Sequence, residues 1–223
     1  IPARGGSKEI KEKNLQKICG KSLLQICIEN SNKSKLLTNL ILSTDSDKII
    51  NHVKKFDVEV PFKRSKKLAG DKAMTFDVVR DALFRSEKFY NKFFDIIVIL
   101  QPTTPFRSSN HIDKCINFIL KDNSNACITV KKPDYPPHWS LEIKKNKLKY
   151  LFKSKKNFTR RQDAPVTFIP AGSVYALKKK CLLSINRILP NNNTSAVIVS
   201  EKEGLNIDNF FHLELARKLC EAK

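Results

Sequence analysis

The sequence predicts an α/β fold built on a mainly parallel sheet. Short apolar segments alternate with segments of helical periodicity along most of the chain. The stretch "DIIVILQPTTPFR" is continuously apolar up to Leu100, as expected of a strand buried on both faces. Polar motifs gather at the strand-to-helix junctions, where parallel sheets of this kind bind their ligands.

The chain opens with "IPARGGSKEIKEKN". Ile1 to Ala3 read as the end of a strand with almost no body, so residues are expected to precede Ile1. Gly5 and Gly6 allow a sharp turn with exposed amides, and Arg4 and Lys8 flank it with positive charge, which suits an anion. The spacing is neither that of a Walker A loop nor that of a dinucleotide fingerprint. "SLLQICIENSNKS" follows as a helix with Leu23, Leu24, Cys27 and Ile28 in phase. "NLILSTD" is a strand, and Asp45 or Ser46 caps the helix "DKIINHVKKF". "VEVPF" and "TFDVVRDALFRSEKF" repeat the strand–helix alternation. After the buried strand comes "SSNHIDKCINFILK", a helix with Ile112, Cys115, Ile116 and Ile119 on one face, and then the strand "ACITVKK".

The alternation breaks between 132 and 161, where three prolines, the single tryptophan and a hairpin signal around Lys145-Asn146-Lys147 mark an excursion from the sheet. It reads as a lid, an arm or a subunit contact. "GSVYALKKK" and "SAVIVS" resume the core, and the helix "NFFHLELARKLCEA" closes it. The 223 residues, 41% of them hydrophobic, suit a single domain over 1–223 with an ordinary core. No apolar run approaches a membrane span and no signal peptide is visible.

The net charge of +20 raises nucleic acid as a partner. The lysines are spread along the chain, however, and a basic field serves an anionic substrate equally well through steering. Nucleic-acid binding is therefore not expected. The six cysteines show neither C-x-x-C nor paired histidine spacing, so zinc is not expected. Buried reduced thiols and a cytoplasmic location are.

Several stretches suit chemistry. "LQPTTPFR" ends the buried strand with Gln101, two threonines and Arg107 between stiffening prolines. The Asp45-x-Asp47 pair is better explained by helix capping than by a metal. "RRQDAPVTF" offers the Arg160 and Arg161 forks to a carboxylate or phosphate. In "GLNIDNFFHLE", Asp208 sits at the entrance to the last helix, as a cap or as a hard oxygen ligand.

In this order, "IPARGGSK" with "KNL" soon after, "STD", "LQPTTPFR", "RRQDAP" and "IDN" resemble the acylneuraminate cytidylyltransferases. The resemblance implies a Rossmann-like nucleotidyltransferase fold, with 132–161 as an inserted dimerisation arm that contributes to the neighbour's site. It implies a homodimer that joins CTP to an acidic nine-carbon sugar of sialic, legionaminic or pseudaminic type, giving a CMP-sugar and pyrophosphate. Mg²⁺ would be the cofactor. By position, Arg4, Gly5, Gly6, Ser7 and Lys8 would hold the triphosphate, with Lys13 near that loop. Asn14, Arg64 and Thr75 would border the nucleotide. Gln101, Arg160 and Arg161 would meet the sugar, with Gln162 and Phe168 completing that motif. Asp208 would bind the metal with Asn206.

Three departures from the family pattern stand out. Asn206 occupies a place often acidic, which removes one charge from the metal site. Ala171-Gly172 replaces the usual Asn-Gly, and Glu9 stands where glycine is common. A synthetase of the CMP-Kdo type is the nearest enzymatic alternative, although "SKEIKEKN" lacks that loop's Arg-Pro. A catalytically silent, basic RNA-binding protein is the alternative from another class.

Overall fold

The structure is a computed structural model that describes residues 1–152, 159–184 and 193–221. Its helices and strands follow in chain order. β1 (Lys17–Ile18) and β2 (Lys21–Ser22) lead into α1 (Leu23–Asn32), and then come α2 (Asp47–Val53), α3 (Lys66–Ala69) and α4 (Thr75–Tyr90). β3 (Ile96–Ile99), α5 (Ser109–Lys121) and β4 (Ala126–Lys131) form the centre. The hairpin β5 (Leu141–Lys144) and β6 (Lys147–Tyr150) stands apart from it, followed by β7 (Ile169–Lys178), α6 (Lys179–Ser184), β8 (Thr194–Ile198) and α7 (Phe210–Glu221).

Local chemistry explains the boundaries. The Ser22 hydroxyl accepts from the Gln25 amide at 3.0 Å and starts α1. Ser46, not Asp45, starts α2 in the same way, through the Ile49 amide. Asn91, in the left-handed region at φ 50°, ends α4. Lys145 and Asn146 take positive φ between β5 and β6, as a two-residue hairpin turn requires.

The main sheet has the order β3–β7–β4–β8. β4 and β8 are parallel, whereas β7 runs antiparallel to both β3 and β4. Parallel bridges Pro2–Ser43, Ile41–Glu59 and Thr44–Lys63 continue the strand pattern through the first third of the chain. The expected α/β, Rossmann-like organisation is present, with β7 as the antiparallel member that makes the sheet mixed.

Both faces of the sheet are covered. β4 shows why its sequence is apolar throughout: Cys127 packs with Ile112, Cys115, Ile116 and Ile119 of α5. Its neighbours Ala126, Ile128 and Val130 pack on the opposite side with Phe76, Val79 and Leu83 of α4. A further apolar cluster joins Ala3, Leu24, Ile28, Leu42, Ile49 and Val53 beneath the opening loop. No helix among the described residues is long and apolar enough to cross a membrane.

Cys27, Cys115, Cys127 and Cys181 are buried free thiols, as expected. Cys19 and Cys220 are not, and this corrects the expectation of reduced thiols throughout. They form a disulfide across 201 residues of sequence, joining the exposed turn between β1 and β2 to the last turn of α7. A crosslink closing so long a loop restricts the unfolded chain, so reduction should lower the unfolding free energy by about 2–4 kcal/mol. Urea unfolding of the wild type and Cys19→Ser, with and without dithiothreitol, tests this. Equal midpoints in all four samples would remove the stabilising role.

Candidate active site

The first strand ends beside the segment 41–44, with the Ala3 amide donating to the Ser43 carbonyl at 3.0 Å. The chain then turns sharply, and the Gly5 amide donates to Asp45 Oδ1 at 2.9 Å. Asp45 therefore orients the loop and Asp47 pairs with Lys63 at 2.6 Å, so the helix capping expected of this pair falls to Ser46 between them. Gly5 lies so close to α2 that a Cβ added there would come 2.7 Å from Ser46 Cβ. Nothing lies within 4 Å of a Cβ added at Gly6. Gly5→Ala should therefore cost about 1–3 kcal/mol by overpacking, while Gly6→Ala stays within about 0.5 kcal/mol. Thermal unfolding of the two variants checks the contrast.

The loop forms one wall of a polar cavity of about 430 Å³. Arg4, Ser7, Lys8, Lys13 and Asn14 line it from the first segment, and Arg64, Asp71 and Thr75 from the region between 64 and 75. Gln101, Pro102 and Thr103 come from the loop after β3, and Asn206 and Asp208 from the loop before α7. Strand ends and helix starts far apart in sequence thus converge on one edge, because the sheet places its junctions there. An apolar cavity of similar size, about 440 Å³, opens between Ile1 and β3. Its aliphatic and phenylalanine lining offers no cluster of cations, so the chemistry belongs to the polar one.

Hydrogen bonds fix the walls. Asn14 Nδ2 donates to the Arg4 carbonyl at 2.9 Å, which ties the loop to the turn behind it. Lys13 Nζ donates to the carbonyls of Ile207 at 3.1 Å and Asp208 at 2.9 Å, linking the opening loop to the loop before α7. Burial pushes the Lys13 ammonium below the usual lysine range, against the opposing pull of Asp208 and Glu9. Arg64 is buried, with its guanidinium on the Ser43 hydroxyl and carbonyl. It supports the cavity from behind as much as it faces it. Arg4 and Lys8 both reach Asp71, at 2.8 and 3.0 Å.

The loop before α7 holds the hard oxygens. Asn206 Nδ2 donates to Asp208 Oδ2 at 3.2 Å, and Asn206 Oδ1 is buried with no partner among the described residues. An unpartnered buried acceptor beside a carboxylate suits a hard cation. Among the described residues no group of three His, Cys, Asp or Glu side chains forms a metal cage. A hard divalent cation that takes one or two carboxylates and completes its shell with phosphate and water needs no more from the chain than the Asp208 and Asn206 oxygens. Gly172, at φ 76°, lies between these groups and Gln101: a Cβ there would meet Gln101 Oε1 at 3.6 Å and Asn206 Nδ2 at 3.8 Å.

The family model for cytidylyltransferases matches residues 1–188. The chain belongs to the cytidylyltransferase family. The CMP-N,N'-diacetyllegionaminic acid synthase of Campylobacter jejuni is 36% identical to this cytidylyltransferase over 225 residues, covering all of this chain and 94% of that protein. The post-translational flagellin modification protein B of Campylobacter coli is 33% identical with the same coverage. The pseudaminic acid cytidylyltransferase of C. jejuni is 28% identical over 98% of this chain and 94% of its own. Among solved structures, a CMP:2-keto-3-deoxy-manno-octonic acid synthetase complexed with CTP superposes with a TM-score of 0.72 at 17% identity, covering 99% of this chain and 96% of that one. At that identity the likeness establishes the fold.

The cytidylyltransferase brings most of the expected site residues to the cavity: Arg4, Ser7, Lys8, Lys13, Asn14, Arg64, Thr75, Gln101, Asn206 and Asp208 all line it. Gly5 and Gly6 shape the loop without lining it. Arg160 and Arg161 are not brought there. Arg160 pairs with Asp163 at 2.8 Å and Arg161 donates to the Pro133 carbonyl at 3.3 Å, both exposed on the excursion. Gln162 and Phe168 are also exposed. The hairpin expected near Lys145 is present as β5–β6, and positions 153–158 of the excursion lie outside the described residues. Asp71 is the charged lining residue that motif reading missed. "LAGDKAMT" carries no signal for it beyond a turn glycine, since its partners lie more than 60 residues away.

Proposed function

We propose that this cytidylyltransferase forms a CMP-sugar and pyrophosphate from CTP and a nonulosonic acid. The observation that carries the reading is a polar cavity with Arg4, Lys8 and Lys13 on one wall and the Asn206–Asp208 oxygens on another. The sugar class is supported by the 36% identity to a legionaminic acid-activating enzyme, with pseudaminic and sialic types next.

The reaction demands charge neutralisation and alignment. An oxygen of the sugar must approach the α-phosphate of CTP, in line with the departing pyrophosphate. Arg4, Ser7 and Lys8 would hold the β- and γ-phosphates, so that the negative charge gathering on the leaving group meets fixed cations. Lys13, held by two carbonyls, would keep the phosphate loop and the metal-binding loop at a constant separation. Asn14, Arg64 and Thr75 would border the nucleoside, and Gln101 would orient the acidic sugar. Asp208 and Asn206 would hold Mg²⁺, which supplies Lewis-acid polarisation of the phosphate oxygens when bound.

Arg160 and Arg161 fit this reading in a homodimer, where the excursion would carry them to the neighbour's sugar. The hairpin supports such a contact: Ile143, Leu148 and Tyr150 are 72, 63 and 66% exposed, an apolar surface suited to a partner. A cytoplasmic location follows from the nucleotide consumed, while the Cys19–Cys220 disulfide is the observation that argues against it.

Pyrophosphate release with CTP, Mg²⁺ and a panel of legionaminic, pseudaminic and sialic acids and Kdo tests the proposal. Release with one nonulosonic acid establishes the reaction and its substrate. Release only with Kdo favours the alternative synthetase. No CTP binding, with RNA binding that weakens steeply in salt, would favour the RNA-binding reading.

A further inference from the structure

The two cations best placed for a triphosphate already hold an anion. Arg4 Nη1 lies 2.8 Å from Asp71 Oδ1, and Lys8 Nζ lies 3.0 Å from Asp71 Oδ2, so the single carboxylate bridges both. Asp71 sits on the turn between α3 and α4 and lines the same cavity. No other Asp or Glu pairs with Arg4 or Lys8 among the described residues, and Asp71 is about half exposed. Hydrogen bonds from Lys8 and Arg4 hold its carboxyl below the usual range, so it remains charged near neutral pH.

We propose that Asp71 is an internal competitor for the triphosphate, holding Arg4 and Lys8 until CTP displaces it and reclaiming them as pyrophosphate departs. The proposal rests on the reading of Arg4 and Lys8 as triphosphate cations. Phosphate oxygens on the same two cations would bring like charge against the Asp71 carboxylate, so the two anions exclude one another. The exchange is easy, because exposed ion pairs are individually weak and the Gly70–Met74 turn that carries Asp71 belongs to no helix or strand. The carboxylate penalises only those ligands that claim Arg4 and Lys8. It therefore weakens CTP and pyrophosphate together, leaves the nucleoside untouched, and helps the leaving group depart.

Titration calorimetry with CTP, pyrophosphate and cytidine, on the wild type, Asp71→Asn and Arg4→Ala in Mg²⁺ buffer, tests the exchange. Asp71→Asn should tighten CTP and pyrophosphate by about threefold to tenfold, the size expected from releasing two exposed pairs, with cytidine unchanged. Product inhibition by pyrophosphate should strengthen by the same factor. Weaker CTP binding in Asp71→Asn would mean that the carboxylate orients the cations for the ligand, and would overturn the proposal. An equal change in cytidine affinity would overturn it too, by showing a general role in loop structure. If Arg4→Ala binds CTP as the wild type does, the phosphate assignment fails and the proposal with it. If Arg4→Ala weakens CTP but Asp71→Asn matches the wild type, the proposal alone fails.

Discussion

Asp208→Ala should remain folded and lose about 10³-fold in turnover with CTP, the scale of losing one group that stabilises developing charge. The separation of stability from activity follows from the surroundings of Asp208. Its side chain is exposed and accepts one hydrogen bond, from Asn206 Nδ2, so removing it should shift stability by no more than about 0.5 kcal/mol. Its carboxylate nevertheless supplies the only formal charge of the hard-oxygen pair. The complementary variant is Asn206→Asp, which restores the charge that the family pattern often has there. It should move the Mg²⁺ dependence of turnover to lower concentration by about tenfold, since ligand charge count sets the affinity of such sites. Without metal the two adjacent carboxylates repel, so the gain should appear in the metal titration and not in thermal stability. Wild-type turnover in Asp208→Ala would show that this loop holds no metal. An unchanged Mg²⁺ titration in Asn206→Asp would remove position 206 alone.

What the sequence revealed depended on how local each signal was. Ser22 and the in-phase residues of α5 were readable because capping and helical burial act within a few residues. β4 was readable because continuous apolarity marks burial on both faces. Continuous apolarity carries no information on direction, since a strand buried on both faces looks alike in either sense, and so the antiparallel run of β7 had no signal. The site was legible through motifs at strand ends, which the sheet gathers on one edge. Pairings set by tertiary placement were not: Cys19 with Cys220, 201 residues apart, and Asp71 with Arg4 and Lys8. Arg160 and Arg161 show the converse, since their motif was visible and their place outside this chain's cavity was not.

Arg107→Met should be the most destabilising single change in the motif "LQPTTPFR", at about 1–3 kcal/mol net, the cost of leaving a buried acceptor without its donor. Arg107 is only 1% exposed and pairs with no carboxylate among the described residues. Its Nη1 donates to the Gln101 carbonyl and the Thr104 hydroxyl, both at 3.1 Å, and to the Ser173 carbonyl at 2.7 Å. Its Nη2 lies 2.9 Å from Cys27 Sγ on α1. One guanidinium thus ties the loop after β3 to β7 and to α1. Methionine keeps much of the volume and abolishes the buried charge, which offsets part of the loss. The Ser173 carbonyl still loses its side-chain donor, and that term dominates; the Gln101 carbonyl keeps the Thr104 hydroxyl at 3.0 Å, so it is weakened and not orphaned. Lysine can supply three N–H groups from one point but not the fork, so Arg107→Lys should fall between methionine and the wild type. The functional consequence is selective. Gln101, whose carbonyl loses one of its three donors, is the residue proposed to orient the sugar, whereas the phosphate cations lie on the opening loop. The sugar KM should therefore rise more than the CTP KM in Arg107→Lys, and urea unfolding should rank the three proteins. A lysine variant in which both KM values rise equally would show that Arg107 supports the whole cavity and not the sugar side of it.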